Sequence, residues 1–239
     1  MDTQDCTTYT TKLCGGKSVN QSPGILTYVK ERNTSANGLT SCSDLSPGSP
    51  SGVYKMTLTP GGSDFVYCDM TTAGGPWAEE NLSSVDRKDS DTPKYSKTLG
   101  LDVIHRLTQA DSILRIEMMS WYNDSKYAQY WDFSVGDETS NYQLSVSGFS
   151  GNVSIDAMET HNGHPFSTYD NDNDSAAESC PVNDHGAWWY TQCHLCNLNG
   201  PHVHDNGDTP KSMTWLKFYS DRGFVPLMKS RMLVKRLCG

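Results

Sequence analysis

Residues 167–180 read STYDNDNDSAAESC: Asp170, Asp172 and Asp174 stand at alternate positions, and the chain then turns small and nearly neutral before Cys180. Three carboxylates this close repel one another, so such a string persists where water solvates it or a cation neutralises it. Taken alone, it reads as a solvated acidic turn or as an oxygen-rich cation loop. An EF-hand is excluded by register. Counted from Asp170, the sixth position is Ser175 where glycine is needed, and the twelfth is Pro181 where a bidentate glutamate should sit.

The chain around this stretch has 239 residues. That length buries roughly 70 to 75 % of the surface an unfolded chain exposes, enough for one large domain or two small ones. Only 36 % of residues are hydrophobic, but twelve Tyr, six Trp and six Phe supply the bulky material that fills loop-rich domains and lines binding sites. The net charge of −9, with no basic cluster beyond KSRMLVKR at 229–236, argues against a nucleic-acid partner, which needs several phosphate-facing cations on one face. Eight cysteines, at 6, 14, 42, 68, 180, 193, 196 and 238, suit disulfides in an oxidising compartment. Six N-x-S/T sequons, at Asn20, Asn33, Asn81, Asn123, Asn152 and Asn173, lean toward a secreted glycoprotein. No apolar run approaches the ~18 residues of a membrane span, and MDTQDC is not a signal peptide, so the chain reads as a mature one with an added or retained Met1.

Residues 1–41 are rich in Thr, Ser, Asn and Gly, with a strand expected at GILTYVKE, 24–31; this segment reads as an N-terminal extension. Short β patterns then dominate: SGVYKMTL from 51, DFVYCDM from 64, SILRIEMMSW from 112, AQYWDFSVG from 128, YQLSVSGFSG from 142 and MLVKRL from 232. LDVIHRLTQ, 101–109, reads as a helix with Leu101, Ile104, His105 and Leu107 on its apolar face. From about 160 to 230 the composition is that of loops, which on a β scaffold carry function. The class is α+β.

Five segments resemble one known family: 51–77 (SGVYKMTLTPGGSDFVYCDMTTAGGPW), 101–108 (LDVIHRLT), 131–152 (WDFSVGDETSNYQLSVSGFSGN), 161–174 (HNGHPFSTYDNDND) and 187–200 (AWWYTQCHLCNLNG). Together they look like the fibrinogen-related C-terminal domain of fibrinogen, ficolins, tachylectins and angiopoietins, over residues 42–239. The stretch 78–97 is shorter than usual and lacks the family's Trp-rich helix. The resemblance implies a central twisted antiparallel sheet, short helices and a loop-rich binding subdomain from about 160 to 239. It makes the acidic string a Ca²⁺ loop, with ligands from the side chains of Asp172 and Asp174 and the carbonyls of Ala176 and Glu178. Waters complete the shell, and Asp170 braces the loop.

The same resemblance implies disulfides Cys42–Cys68 and Cys180–Cys193. Cys196 and Cys238 are not family cysteines; elimination pairs them with each other and leaves Cys6 for Cys14 or for another chain. A rival reading of CHLC, 193–196, as a redox pair or as a metal site with His202 and His204 lacks the thioredoxin-like setting and the zinc-finger spacing.

In acetyl-binding relatives the peptide equivalent to Gln192–Cys193 is cis and turns the amides of Cys193 and His194 toward the ligand's carbonyl. Those relatives place a tyrosine where this chain has Asp184, and their downstream aromatic motifs are replaced by DTPKSMTW at 208–215 and PLMK at 226–229. An acetyl methyl is then badly housed. The fibrinogen gamma chain carries an aspartate at that position, and a carboxylate in a partly desolvated cleft favours an ammonium or guanidinium. Asp205 and Asp208 would add to that charge, whereas the plainer reading is that Asp184 braces its loop. His161, His164 and His185 read as structural or surface residues, and Trp188 and Trp189 as core.

No Gly-x-Ser-x-Gly, His-Glu-x-x-His or phosphate loop is present, and the resembled family is not enzymatic. Two functions follow as expectations. One is a secreted, calcium-dependent, carbohydrate-binding lectin of innate immunity, taking glycans or acetylated surface ligands beside the Cys180–Cys193 bridge. The alternative is a protein or peptide interaction module gripping an amino-bearing group through Asp184. A homo-oligomer would supply the multivalency that makes weak lectin sites useful.

Overall fold

The computed structural model describes residues 38–58, 62–80, 100–204 and 209–237. The strand expected at 24–31, residues Cys6, Cys14, Cys238, Asp205 and Asp208, and the sequons at Asn20, Asn33 and Asn81 lie outside the described residues.

In chain order the elements are β1 Gly52–Leu58, β2 Gly62–Asp69, β3 Trp77–Glu80, α1 Leu101–Leu107, β4 Ser112–Ser120, β5 Ser125–Val135, β6 Leu144–Gly151, α2 Cys180–Asp184, β7 Cys196–Asn197, β8 Thr214–Leu216 and β9 Phe224–Arg236. The main sheet runs β1-β2-β3-β9-β4-β5-β6, and every neighbouring pair is antiparallel. The C-terminal strand β9 therefore sits in the middle of the sheet, between β3 and β4. Its first residues pair instead with β8, which pairs in turn with β7, so the loop-rich region hangs from the start of the central strand.

Period-two patterning decides the faces. β4 buries Leu114, Ile116 and Met118 on one side and turns Arg115 and Glu117 to the other. The apolar side joins Ala128, Tyr130 and Phe133 of β5 to Trp188, Trp189, Trp215 and Phe218, all nearly or fully buried. Large aromatic rings dominate such a core because each removes so much apolar surface from water. A second cluster lies beneath β1 and β2, where Met56, Leu58 and Val66 surround the Cys42–Cys68 bridge.

Helix α1 spans both clusters, Ile104 packing into the first and Val103 and Leu107 into the second. Its buried face is therefore Val103, Ile104 and Leu107, shifted from the expected set. Leu101 is half-buried, and His105 approaches the Val135 carbonyl through Nδ1 at 2.8 Å. On the opposite side of the sheet Arg231 of β9 lies 3.0 Å from Asp69, 2.7 Å from Glu117 and 3.5 Å from Glu79. Hydrogen bonds from Thr71 and Thr72 hold the Asp69 carboxyl far below the usual carboxylate range, against the desolvation that would raise it.

Cys196 is not bridged. Its thiol is buried, with Sγ 3.5 Å from the Ala157 carbonyl and 3.4 Å from Met158 Sδ, and burial pushes its pKa well above the ordinary value. The pairing of Cys196 with Cys238, inferred by elimination, is thus corrected: β7 turns this side chain into the apolar core.

Candidate functional site

The acidic stretch folds as a tight loop leading into α2. Asp174 fixes it, because one carboxylate oxygen accepts from the Cys180 N–H at the start of α2 and the other from the Ala176 N–H, both at 2.8 Å. Asp172 Oδ1 accepts from the Asp174 N–H at 3.2 Å, which brings the two carboxylates together. Asp174 is consequently raised in pKa, first by desolvation and also by Asp172, against the lowering effect of its two backbone bonds. Asp170 accepts from the Thr168 hydroxyl at 2.7 Å and braces the turn. Asn173 ties the loop to the chain before it by donating from Nδ2 to the Phe166 carbonyl at 2.8 Å.

A hard divalent cation fits the donors present. Asp172 and Asp174 are adjacent, mutually repelling carboxylates, and among the described residues the carbonyls of Ala176 and Glu178 accept no hydrogen bond. Two charged and two neutral oxygens with waters match the preference of Ca²⁺. The Glu178 side chain lies apart from this role, accepting from Asn183 Nδ2 at 3.3 Å.

The Cys180–Cys193 bridge, S–S 2.13 Å, joins the loop to the segment after Trp189. The Gln192–Cys193 peptide is cis. Among the described residues the backbone N–H groups of Cys193 and His194 reach no acceptor, whereas the Cys193 carbonyl accepts from the Thr191 N–H at 2.8 Å. Gln192 itself is exposed.

Asp184 is the last residue of α2 and is 7 % exposed. Its carboxylate makes no hydrogen bond among the described residues; the nearest charged-type contact is His194 Nε2 at 3.6 Å. That contact is not an ion pair at neutral pH, because burial lowers the His194 pKa to about 4. Desolvation raises the Asp184 pKa, opposed by the more distant charges of Lys211 and His185. Asp184 also lies within 4.8 Å of both bridge sulfurs. Sulfurs bound to each other offer no thiolate, so this group is not a metal site.

Polar residues near the end of α2 were not visible as site residues in the sequence; Asn197 donates from Nδ2 to the Asp184 backbone carbonyl at 3.4 Å. The Tyr190 hydroxyl and Asn197 Oδ1 are buried beside Gly186, where a Cβ would stand 2.6 Å from the first and 2.7 Å from the second. The absent side chain of Gly186 is what admits them. The His194 ring packs edge-on against Phe224 at 5.4 Å and lies 6.0 Å from the Tyr190 ring. The repeated small and aromatic residues of GAWWYTQCH carried a signal for crowding at 186–194, but none for which polar atoms converge.

His161 is a structural residue. Its Nδ1 faces the Trp189 carbonyl at 2.7 Å and must donate, so Nε2 accepts from the N–H groups of Leu195 and Cys196 at 3.3 and 3.4 Å. Burial lowers its pKa to about 4. His202 and His204 pack on Trp121, with ring centroids 5.1 and 4.6 Å away, and take no part in a cysteine site with residues 193–196.

Residues 40–235 match the family described as the fibrinogen beta and gamma chains, C-terminal globular domain. Angiopoietin-related protein 7 of Mus musculus is 35 % identical over 206 residues, covering 80 % of this chain and 61 % of that protein. Ficolin-3 of Homo sapiens is 36 % identical over 162 residues, covering 63 % of this chain and 54 % of its own length. The chain thus spans less than two thirds of these relatives. Among solved structures, the fibrinogen-like globe domain of human ANGPTL6 has a TM-score of 0.68 at 26 % identity, covering 86 % of this chain and 100 % of that one. A lamprey fibrin D-dimer complexed with the peptide Gly-His-Arg-Pro-amide has a TM-score of 0.65 at 25 % identity, covering 86 % of this chain and 77 % of that chain.

Proposed function

Because the chain belongs to the fibrinogen C-terminal domain family, we propose that it is a secreted, non-enzymatic recognition module. Its ligand-binding site lies beside Asp184 and the Cys180–Cys193 bridge, and a Ca²⁺ ion held by Asp172, Asp174, Ala176 and Glu178 stabilises it. The ion supplies charge neutralisation to the acidic loop; the protein's own groups do the recognising.

One observation carries this reading: Asp184 is a nearly buried carboxylate without a hydrogen bond among the described residues. A brace would be bonded to what it braces. A carboxylate left in this state is stabilised by an incoming cation, a charge-assisted contact contributing about 1.5 to 3 kcal/mol. Across the bridge the unused N–H groups of Cys193 and His194 suit a ligand oxygen. An ammonium and a carbonyl oxygen on one small group describe a peptide amino terminus, and the peptide in the lamprey complex offers one.

The lectin reading stays as the second one, since Ficolin-3 is among the relatives and the same N–H groups suit the oxygen of an N-acetyl sugar. The observation against an acetyl pocket is the chemistry of Asp184, which offers a charge where a methyl group would need an apolar wall. Peptide and glycan arrays with and without chelator separate the two. The proposal expects calcium-dependent binding of ligands with a free amine. Retention of N-acetylated sugars alone would assign the site to the lectin reading.

A further inference from the structure

Three sequons fall within the described residues, and the fold treats their asparagines differently. Asn173 donates from Nδ2, the atom a glycan would occupy, to the Phe166 carbonyl at 2.8 Å inside the acidic loop. Asn152 spends Oδ1 on the Tyr127 N–H at 2.7 Å and is followed by buried Val153. Asn123 stands at the tip of the β4–β5 hairpin, with Asp124 and Ser125 beside it also exposed. Its N–H closes the turn on the Ser120 carbonyl at 3.1 Å, its φ is 64°, and its carboxamide makes no hydrogen bond among the described residues. Asparagine tolerates this left-handed backbone better than most side chains, so the turn holds the amide out into solvent without engaging it.

We propose that Asn123 carries an N-linked glycan and that Asn173 stays unmodified in the folded protein. The disulfides Cys42–Cys68 and Cys180–Cys193 place folding in an oxidising compartment, where sequons meet their donor. In the transfer, Asn123 Nδ2 forms a bond to C1 of an oligosaccharide carried on a lipid diphosphate. The C1–O bond to phosphate breaks, the lipid diphosphate departs, and the amide loses one proton. The adjoining Tyr122 is 56 % exposed, with the Arg222 guanidinium 5.3 Å from its ring centroid. The apolar C–H face of the first sugar covers the rest of that ring, removing an exposed aromatic at a hairpin tip.

The test is site-resolved glycopeptide mapping of the protein secreted from insect or mammalian cells, with disulfide mapping of the same sample. The Asn123 peptide is expected to carry glycan and the Asn173 peptide none. Ser125→Ala abolishes the sequon while leaving the left-handed Asn123 in place, so it should lose the glycan, keep both bridges and show a several-fold rise in hydroxyl-radical labelling of Tyr122. An unmodified Asn123 in protein whose bridges have formed overturns the proposal, as does a glycan on Asn173 in that material. Unchanged Tyr122 labelling in Ser125→Ala would refute the packing of the sugar on the ring.

Discussion

Asp174→Asn removes the charge that organises the acidic loop while keeping the side chain's shape. Asp174 accepts from two backbone N–H groups at 2.8 Å, and an asparagine accepts at one oxygen only, so its NH₂ group faces the N–H of either Ala176 or Cys180. Losing one hydrogen bond to a charged group costs about 1.5 to 3 kcal/mol. Relief of the repulsion from Asp172 offsets part of that, leaving about 1 to 2 kcal/mol in chelator. Under the proposed calcium assignment the gap widens: at a hundred times its dissociation constant a bound ion would stabilise the native protein by about 2.7 kcal/mol, and the variant would lose that contribution. For a domain of this size, 2.7 kcal/mol corresponds to a shift in Tm of roughly 5 to 11 °C. Thermal melts with calcium and with EDTA should therefore differ by that margin in the native protein and coincide in Asp174→Asn. A native Tm indifferent to chelation, or an equal calcium response in the variant, would refute the assignment of the ion to this loop.

Two other outcomes follow from buried groups. His161 and His194 have folded pKa values of about 4, below the ordinary value of 6.5, so the unfolded chain binds more protons between those limits. Their stabilisation is complete above pH 6.5 and declines as pH falls toward 4, by at most about 1.4 kcal/mol per pH unit for each. Asp174 and Asp184, with raised pKa values, oppose the trend over the carboxylate range. Urea midpoints should therefore drop from pH 7 to pH 5 and drop less in His161→Gln; a flat profile would contradict the neutral, buried state of these rings. Cys196 should resist alkylation in the native protein and react after unfolding, and a Cys196–Cys238 peptide in a non-reducing map would contradict its placement in the core.

Much of the fold was legible because alternating strands carry their faces in the sequence: SILRIEMMSW reads directly as β4. The short β3 was not, since WAEE has no alternation long enough to mark it, and its strand state comes from pairing with β2 and β9. The central position of β9 is a long-range property that MLVKRL does not reveal. At the site, the spacing of the aspartates located the acidic loop, but the bonding of Asp174 to the start of α2 depends on how the chain returns. Asp184 was identifiable by its offset from Cys180, whereas its burial and its lack of a hydrogen bond among the described residues depend on how residues 184 and 194 are brought together in the fold. Elimination misplaced Cys196 because counting cysteines takes no account of which side of β7 faces the core.

The proposed function rests on Asp184 selecting a cation beside the Cys180–Cys193 bridge. The most direct test is calorimetry in calcium buffer with a short peptide bearing a free amino terminus, with the same peptide N-acetylated, and with free N-acetylglucosamine, each titrated into the native protein and Asp184→Asn. The prediction is that the free-amine peptide binds the native protein and weakens by roughly 10- to 150-fold, equivalent to about 1.5 to 3 kcal/mol, on acetylation or in Asp184→Asn. N-acetylglucosamine should bind weakly to both proteins. Tight binding of N-acetylglucosamine and the acetylated peptide, unaffected by Asp184→Asn, would contradict the claim and identify the carboxylate as scaffolding.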